Sequence, residues 1–262
     1  MKEFLQSLST FGWLIWRDIR AALTDLGANL IDSAVFPIGW LFVDGYIMPH
    51  LGVPADYGVF MIAGLAAGMC LNSTATDAGD LIIDLEGPRA VSYELSLPLP
   101  SWMLCVKFAL VYAIRGVVLN ILIFPAGALM LWKHVNMLTI SWPKFLFLFW
   151  WINLLYGYFS LVVALWITTT EGYWRFWLRW GWLLFIVAGF QFSWKIMERA
   201  FPNFAYVNLI NPLLYSFEGI RAALLGQEGF IDYWICLGIT IFYTVIFAVI
   251  ALRLFKKRLD CV

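Results

Sequence analysis

The chain has 262 residues, of which 63% are hydrophobic, 18% aromatic and only 13% charged, with a mean hydropathy of +0.82. Soluble domains carry roughly a quarter charged residues, so most side chains here suit lipid or neighbouring helices, and a single membrane-embedded domain over residues 1–262 is expected. Seventeen basic residues balance seventeen acidic ones, which leaves no net field to attract nucleic acid.

Residues 1–25 read as an amphipathic helix in the membrane interface. Phe4, Leu8, Phe11, Ile15, Ile19 and Ala22 recur every three or four residues as one apolar stripe. Lys2, Glu3, Gln6, Arg17 and Arg20 fill much of the remainder, the pattern of a helix lying in the membrane plane. The stretch has no compact apolar core or small-residue cleavage site, so it is not read as a signal peptide.

A hydrocarbon core needs about 20 mostly apolar residues, and six stretches are candidate spans. The first is Leu30 to Pro49, with Asp32 and Asp44 inside it. Tyr57 to Thr76 is uncharged, and Trp102 to Trp132 contains Lys107 near one end and Arg115 further in. Phe145 to Thr170 is uncharged throughout, Trp180 to Trp194 is uncharged but only about 22 Å long at helical rise, and Tyr233 to Leu252 ends at Arg253. Between the fifth and sixth, residues 195–229 are semi-polar, with Asn211-Pro212 leading a helix over Leu213 to Leu225. Helical hairpins dipping part-way into the outer leaflet fit this segment, since non-spanning backbone is tolerated where protein or water covers it. An ordinary outside loop is the other reading.

Lys and Arg placement orients the chain. With both termini cytoplasmic, eleven basic residues fall inside (Lys2, Arg17, Arg20, Arg89, Lys107, Arg175, Arg179, Arg253, Lys256, Lys257, Arg258) and five outside (Lys133, Lys144, Lys195, Arg199, Arg221), with Arg115 in the membrane. Trp102, Trp132, Trp142, Trp180, Trp182 and Tyr233 gather near span ends as an interfacial belt. No internal repeat supports an inverted-repeat carrier.

Enzyme motifs are missing from the sequence. His50 and His134 belong to no H-E-x-x-H pattern, no G-x-S-x-G elbow occurs, and no G-x-x-x-x-G-K-[ST] loop is present to cradle ATP. Cys70, Cys105, Cys236 and Cys261 stand at unrelated spacings, without a metal or disulfide pattern. The polar segment 78–100 is more informative. Asp77, Asp80, Asp84, Glu86, Arg89 and Glu94 precede Leu95-Ser96-Leu97-Pro98-Leu99-Pro100, with Gly87-Pro88 breaking a helix. A short cytoplasmic excursion is expected, either a mixed-charge helix that docks into a soluble partner or a solvated loop.

The run Ile82-Ile83-Asp84-Leu85-Glu86-Gly87-Pro88-Arg89-Ala90-Val91-Ser92-Tyr93-Glu94-Leu95-Ser96-Leu97-Pro98-Leu99-Pro100 resembles the cytoplasmic connection of ABC-2-type ABC transporter permeases. The run Asn211-Pro212-Leu213-Leu214-Tyr215-Ser216-Phe217-Glu218-Gly219-Ile220-Arg221 resembles that family's Asn-Pro-hydrophobic-Tyr element, and Arg115-Gly116 sits where some relatives carry Arg-Gly. Relatives usually continue the helix where this chain has Pro88.

The resemblance implies an all-α fold: six transmembrane helices, an N-terminal interfacial helix and short re-entrant helices between spans five and six. It implies a permease in a bacterial inner membrane, exporting a lipophilic compound or lipid, or else a polysaccharide or glycolipid. The partners it implies are a second permease copy, identical or similar, membrane lipids, and two ABC ATPase subunits. ATP and Mg would sit on the ATPase, with no cofactor on this chain. Asp80, Asp84, Glu86, Gly87, Arg89 and Glu94 would then couple to the ATPase, and Asn211, Pro212, Tyr215, Glu218 and Arg221 would form the outer-leaflet element. An ATPase-independent channel or carrier is the competing class.

Asp32, Asp44 and Arg115 are each costly in lipid, at about 2.5–3.5 kcal/mol on insertion scales. An Asp32–Arg115 ion pair is the structural expectation; Arg115 facing the transport path is the functional one. Glu218 and Arg221 lie three apart on one helical face and are placed to pair. Gly64 and Gly68 form G-x-x-x-G, which allows close approach either within the chain or to a second copy. Trp150, Trp151, Tyr156, Tyr158, Trp166, Trp174 and Trp177 serve as interfacial anchors or as stacking platforms for sugars.

Overall fold

The computed structural model describes residues 2–24, 26–54, 56–87, 90–97, 99–135 and 140–259, and these form helices joined by turns and short irregular segments, with no strand among them. Five helices are long and apolar enough to cross a membrane: Leu26–His50, Tyr57–Glu86, Ser101–Met130, Trp142–Trp166 and Tyr233–Arg258. The chain is a helical, multi-pass membrane protein. Their outward faces carry large apolar side chains, such as Ile31, Val35 and Phe36 early in the chain and Phe242, Val245 and Val249 late in it. Lipid is the solvent that such faces suit.

Two helices form the centre. Helix α4 (Tyr57–Glu86) is rich in small residues, among them Gly64, Ala66, Ala67, Gly68, Ala75, Ala78 and Gly79, so its neighbours approach closely. Helix α8 (Trp142–Trp166) packs against α4, against α6 (Ser101–Asn120) and against α14 (Tyr233–Leu259). A Cβ on Gly157 would stand 2.8 Å from the Ala109 carbonyl oxygen, which marks how tightly α8 meets α6. On Gly64 it would meet the Phe190 carbonyl at 2.9 Å, and on Gly68 the Phe185 ring at 2.8 Å. The G-x-x-x-G pair is therefore spent on packing within the chain.

Helix α1 (Lys2–Thr24) lies against α6. Its buried face centres on Leu14, with Asp18 half-buried one turn on, while Leu8 of the expected stripe is exposed along with Trp13 and Trp16. The first span starts as α2 (Leu26–Phe42), passes through a π-helical turn at Val43–Ile47 that holds Asp44, and ends in α3 (Met48–His50). The third continues from α6 through a break at Ile121 and Leu122 into α7 (Ile123–Met130).

Two boundaries differ from expectation. Helix α4 does not stop at Thr76 but runs ten residues further to Glu86, so the acidic residues extend a spanning helix. Its helix hydrogen bonding persists because Asp77, Asp80 and Asp84 share one face and each has a neighbour or solvent to meet. The fifth expected span, Trp180 to Trp194, is instead helical over residues 170–187: α9 (Thr170–Phe176), a π-helical turn (Trp177–Gly181) and α10 (Trp182–Val187). These 18 residues reach about 27 Å, and they carry Glu171, Arg175 and Arg179, which sets them apart from the five apolar helices. The segment expected to dip into the outer leaflet holds α11 (Trp194–Ala200), α12 (Pro202–Asn208) and α13 (Pro212–Leu224).

Candidate functional site

Helix α13 is only 13 residues long, yet every residue from Leu213 to Leu224 is buried, packed among α4, α8 and α14. Asn211 starts it: its Oδ1 accepts from the Leu213 N–H at 3.1 Å, and its Nδ2 donates to the Leu184 carbonyl at 2.9 Å. Pro212 occupies the first helical turn, where no N–H is missed. The Tyr215 hydroxyl donates to the Leu209 carbonyl at 2.7 Å and closes the turn before the helix.

Glu218 and Arg221 are both fully buried and 3.9 Å apart. Glu218 accepts from the backbone N–H of Trp194 at 2.9 Å and of Ile231 at 3.1 Å. The Arg221 guanidinium donates to the carbonyls of Gly189, Phe190 and Phe192 at 2.7, 2.6 and 3.2 Å, and lies 3.7 Å over the Phe60 ring. The pair thus fastens the turn after α10, the start of α11 and the lead-in to α14 onto one buried helix. Charge-assisted bonds to fixed backbone groups are what make such a buried pair tolerable.

A second polar cluster forms where α1, the end of α4, α5 (Ala90–Leu95) and α6 meet. Lys107, almost fully buried, places its Nζ 2.6 Å from Glu94 and 2.9 Å from Asp18. Arg17 pairs with Asp18 at 2.6 Å and with Glu94. Two cations and two carboxylates balance locally, so α1 is bolted to α6 through Glu94. Burial pulls the Arg17 guanidinium down, but hydrogen bonds and charge from Glu94 and Asp18 outweigh it and hold the group above its ordinary value. Asp84 accepts from the N–H groups of Ala90 at 2.8 Å and Val91 at 2.9 Å and so caps α5. Glu86 accepts from the Thr170 N–H at 3.1 Å and from its hydroxyl, stapling the end of α4 to the start of α9. Gly87 terminates α4, while Arg89 lies outside the described residues.

The expected Asp32–Arg115 pair is not formed. Arg115 binds Asp77 instead, at 2.9 Å, because α4 extends past Thr76 and carries Asp77 alongside α6. Asp32 is exposed at a polar recess with Asn72, Ser73 and Asn120. Asp44 is buried, and its Oδ2 has no partner among the described residues. Arg17, Asp18 and Lys107 of the Glu94 quartet, and Asp77 as the partner of Arg115, are thus site members that sequence reasoning left out. The helical spacing of Asp77, Asp80 and Asp84 was the available signal.

A groove of ≈ 280 Å³ runs between α4 and the helical segment 170–187, with Trp174, Trp177, Trp182 and Phe185 facing Gly68 and Asn72. Comparison of the chain with protein-family models finds no match, and comparison with curated proteins finds none either.

Proposed function

We propose that the chain is the permease subunit of an ATP-driven ABC exporter of the ABC-2 type, moving a lipophilic compound or lipid out of the cytoplasm or inner leaflet. The observation that carries this reading is the construction around Glu86 and Glu94. One end of α4 is tied to α9 by Glu86, and through Asp84 and the Glu94 quartet to α5, α1 and α6. A push on the connection between α4 and α5 therefore reaches four membrane helices at once, as a coupling handle requires. In this reading two ATPase chains supply ATP and Mg chemistry, a second permease copy completes the pathway, and helical segment 170–187 is the sixth span. The N- and C-termini then lie on the cytoplasmic side of a bacterial inner membrane.

The test is purification of the tagged chain from its native host in mild detergent. Recovery of a stoichiometric ATPase supports the reading; a reproducibly solitary chain refutes it. The groove favours a glycan or glycolipid as the alternative cargo. It offers three indole rings for stacking on a sugar face. Quenching of tryptophan fluorescence by an oligosaccharide, lost on Trp182→Leu, would establish that alternative.

A further inference from the structure

Beside the Glu94 quartet, α1, α2, α4, α5 and α6 line an open cleft of ≈ 450 Å³. Its carboxylates are not equally available. Asp18 and Glu94 are neutralised by Arg17 and Lys107, and both oxygens of Asp84 are occupied by backbone N–H groups. Asp77 and Asp80 remain against a single cation, Arg115. Asp77 is nine-tenths buried; one oxygen lies 2.9 Å from Arg115, and the other is buried without a partner among the described residues. Asp80 is exposed to the cleft and makes no hydrogen bond or ion pair among the described residues. This wall carries more negative charge than it neutralises.

No three potential ligand residues converge as a metal requires among the described residues. A primary ammonium fits better: it brings three donors and no acceptor to Asp77 and Asp80. Arg115 uses one of its guanidinium donors on Asp77 and is one-third exposed, so donors remain for a phosphate next to that ammonium. The cleft also has an apolar continuation. At Ala22, Asn29 and Arg115 it meets a narrow slot of ≈ 20 Å³. Leu119 of that slot also lines a groove of ≈ 270 Å³ between α2 and the third span, lined only by apolar side chains.

A charged cleft, a narrow slot and an apolar groove in succession, related by shared wall residues, follow the polarity of a lipid. We propose that this track binds a membrane phospholipid whose headgroup carries a primary ammonium, with the ammonium on Asp77 and Asp80, the phosphate on Arg115, and one acyl chain past Leu119 along α2. The site does not depend on the exporter reading, because a lipid is held there with or without a motor.

Native mass spectrometry of the purified full-length chain, titrated with phosphatidylethanolamine or phosphatidylcholine, tests the proposal. The expected preference for the ethanolamine lipid is roughly tenfold, equivalent to about 1.4 kcal/mol. Asp80→Asn, at an exposed residue with no structural bond, should leave thermal unfolding unchanged and bring the preference close to parity. Leu119→Trp should weaken both lipids together by plugging the slot. Equal binding of the two lipids by the unaltered chain would overturn the proposal, as would an undiminished preference in D80N or unchanged binding in L119W. Binding of dodecylammonium without binding of phosphatidylethanolamine would also overturn it and reassign the cleft to free amines.

Discussion

Replacing Arg221 with methionine tests the view that α13 is held by one buried guanidinium. The substitution keeps an unbranched stem of similar reach but removes donors to three carbonyls, at 2.6 to 3.2 Å, and the cation stacked 3.7 Å over Phe60. Hydrogen bonds to charged groups contribute about 1.5–3 kcal/mol each, but three on one group do not add. Removal of one partner from a buried charged set costs about 3–5 kcal/mol, and that is the expected loss for R221M. Arg221→Lys keeps the charge but replaces the fork with a single point, so it should recover less than half. The Glu218–Arg221 separation of 3.9 Å exceeds every backbone bond either residue makes. A double-mutant cycle with E218Q should therefore return a coupling near 1 kcal/mol, with the larger share of the loss belonging to the carbonyls. Unfolding in mixed micelles of rising SDS content, followed by tryptophan fluorescence, measures these differences. The exposed Arg179→Met serves as the control and should stay within about 0.5 kcal/mol of the parent. An R221M protein within about 1 kcal/mol of the parent would refute the reasoning.

Three further substitutions probe other joints. Gly157→Ala drives a methyl group against the Ala109 carbonyl, which is backbone and cannot swing away, and should cost about 1–3 kcal/mol in the same unfolding assay. Glu94→Gln strips Arg17 and Lys107 of their shared carboxylate; membrane insertion should persist, while trypsin cuts at Arg17 and Arg20 markedly faster as α1 loosens. Adding Lys107→Met to that variant should restore part of the protection, because it removes a buried ammonium left with Asp18 as its one carboxylate. Asp84→Ala removes the acceptor for two N–H groups at the start of α5, at about 1 kcal/mol, and amide exchange at Ala90 and Val91 should accelerate.

Hydropathy and punctuation made much of the architecture legible. The expected helix Leu213 to Leu225 lies within one residue of Pro212–Leu224, because Asn-Pro is a strong start signal with a side-chain acceptor and no wasted N–H. The five apolar spans were visible for the same reason that they form: long windows of high mean hydropathy carry at most two charged residues. Charge caused the misreadings. A scale that penalises every carboxylate ended α4 at Thr76, although Asp77 has Arg115 as a partner and Asp84 caps the next helix. Likewise Arg175 and Arg179 left residues 171–179 between the fourth and fifth expected spans, whereas both sit exposed on a continuous helical segment with their charged ends free to reach polar surroundings. Partner choice was the least legible feature. Asp32 and Asp77 are equally acidic in sequence, and only the packing of α4 on α6 decides between them.

The seating of α13 bears on how the protein is made. This segment leaves the ribosome after α4 and α8 but before α14, and it is wrapped by all three. A short stretch bearing a carboxylate and a guanidinium has little reason to stay in hydrocarbon alone. It must wait at the translocon or the membrane surface until the closing helix arrives. Truncation before residue 233 should therefore strand it outside the bundle, and synthesis of α14 governs when α13 can be seated.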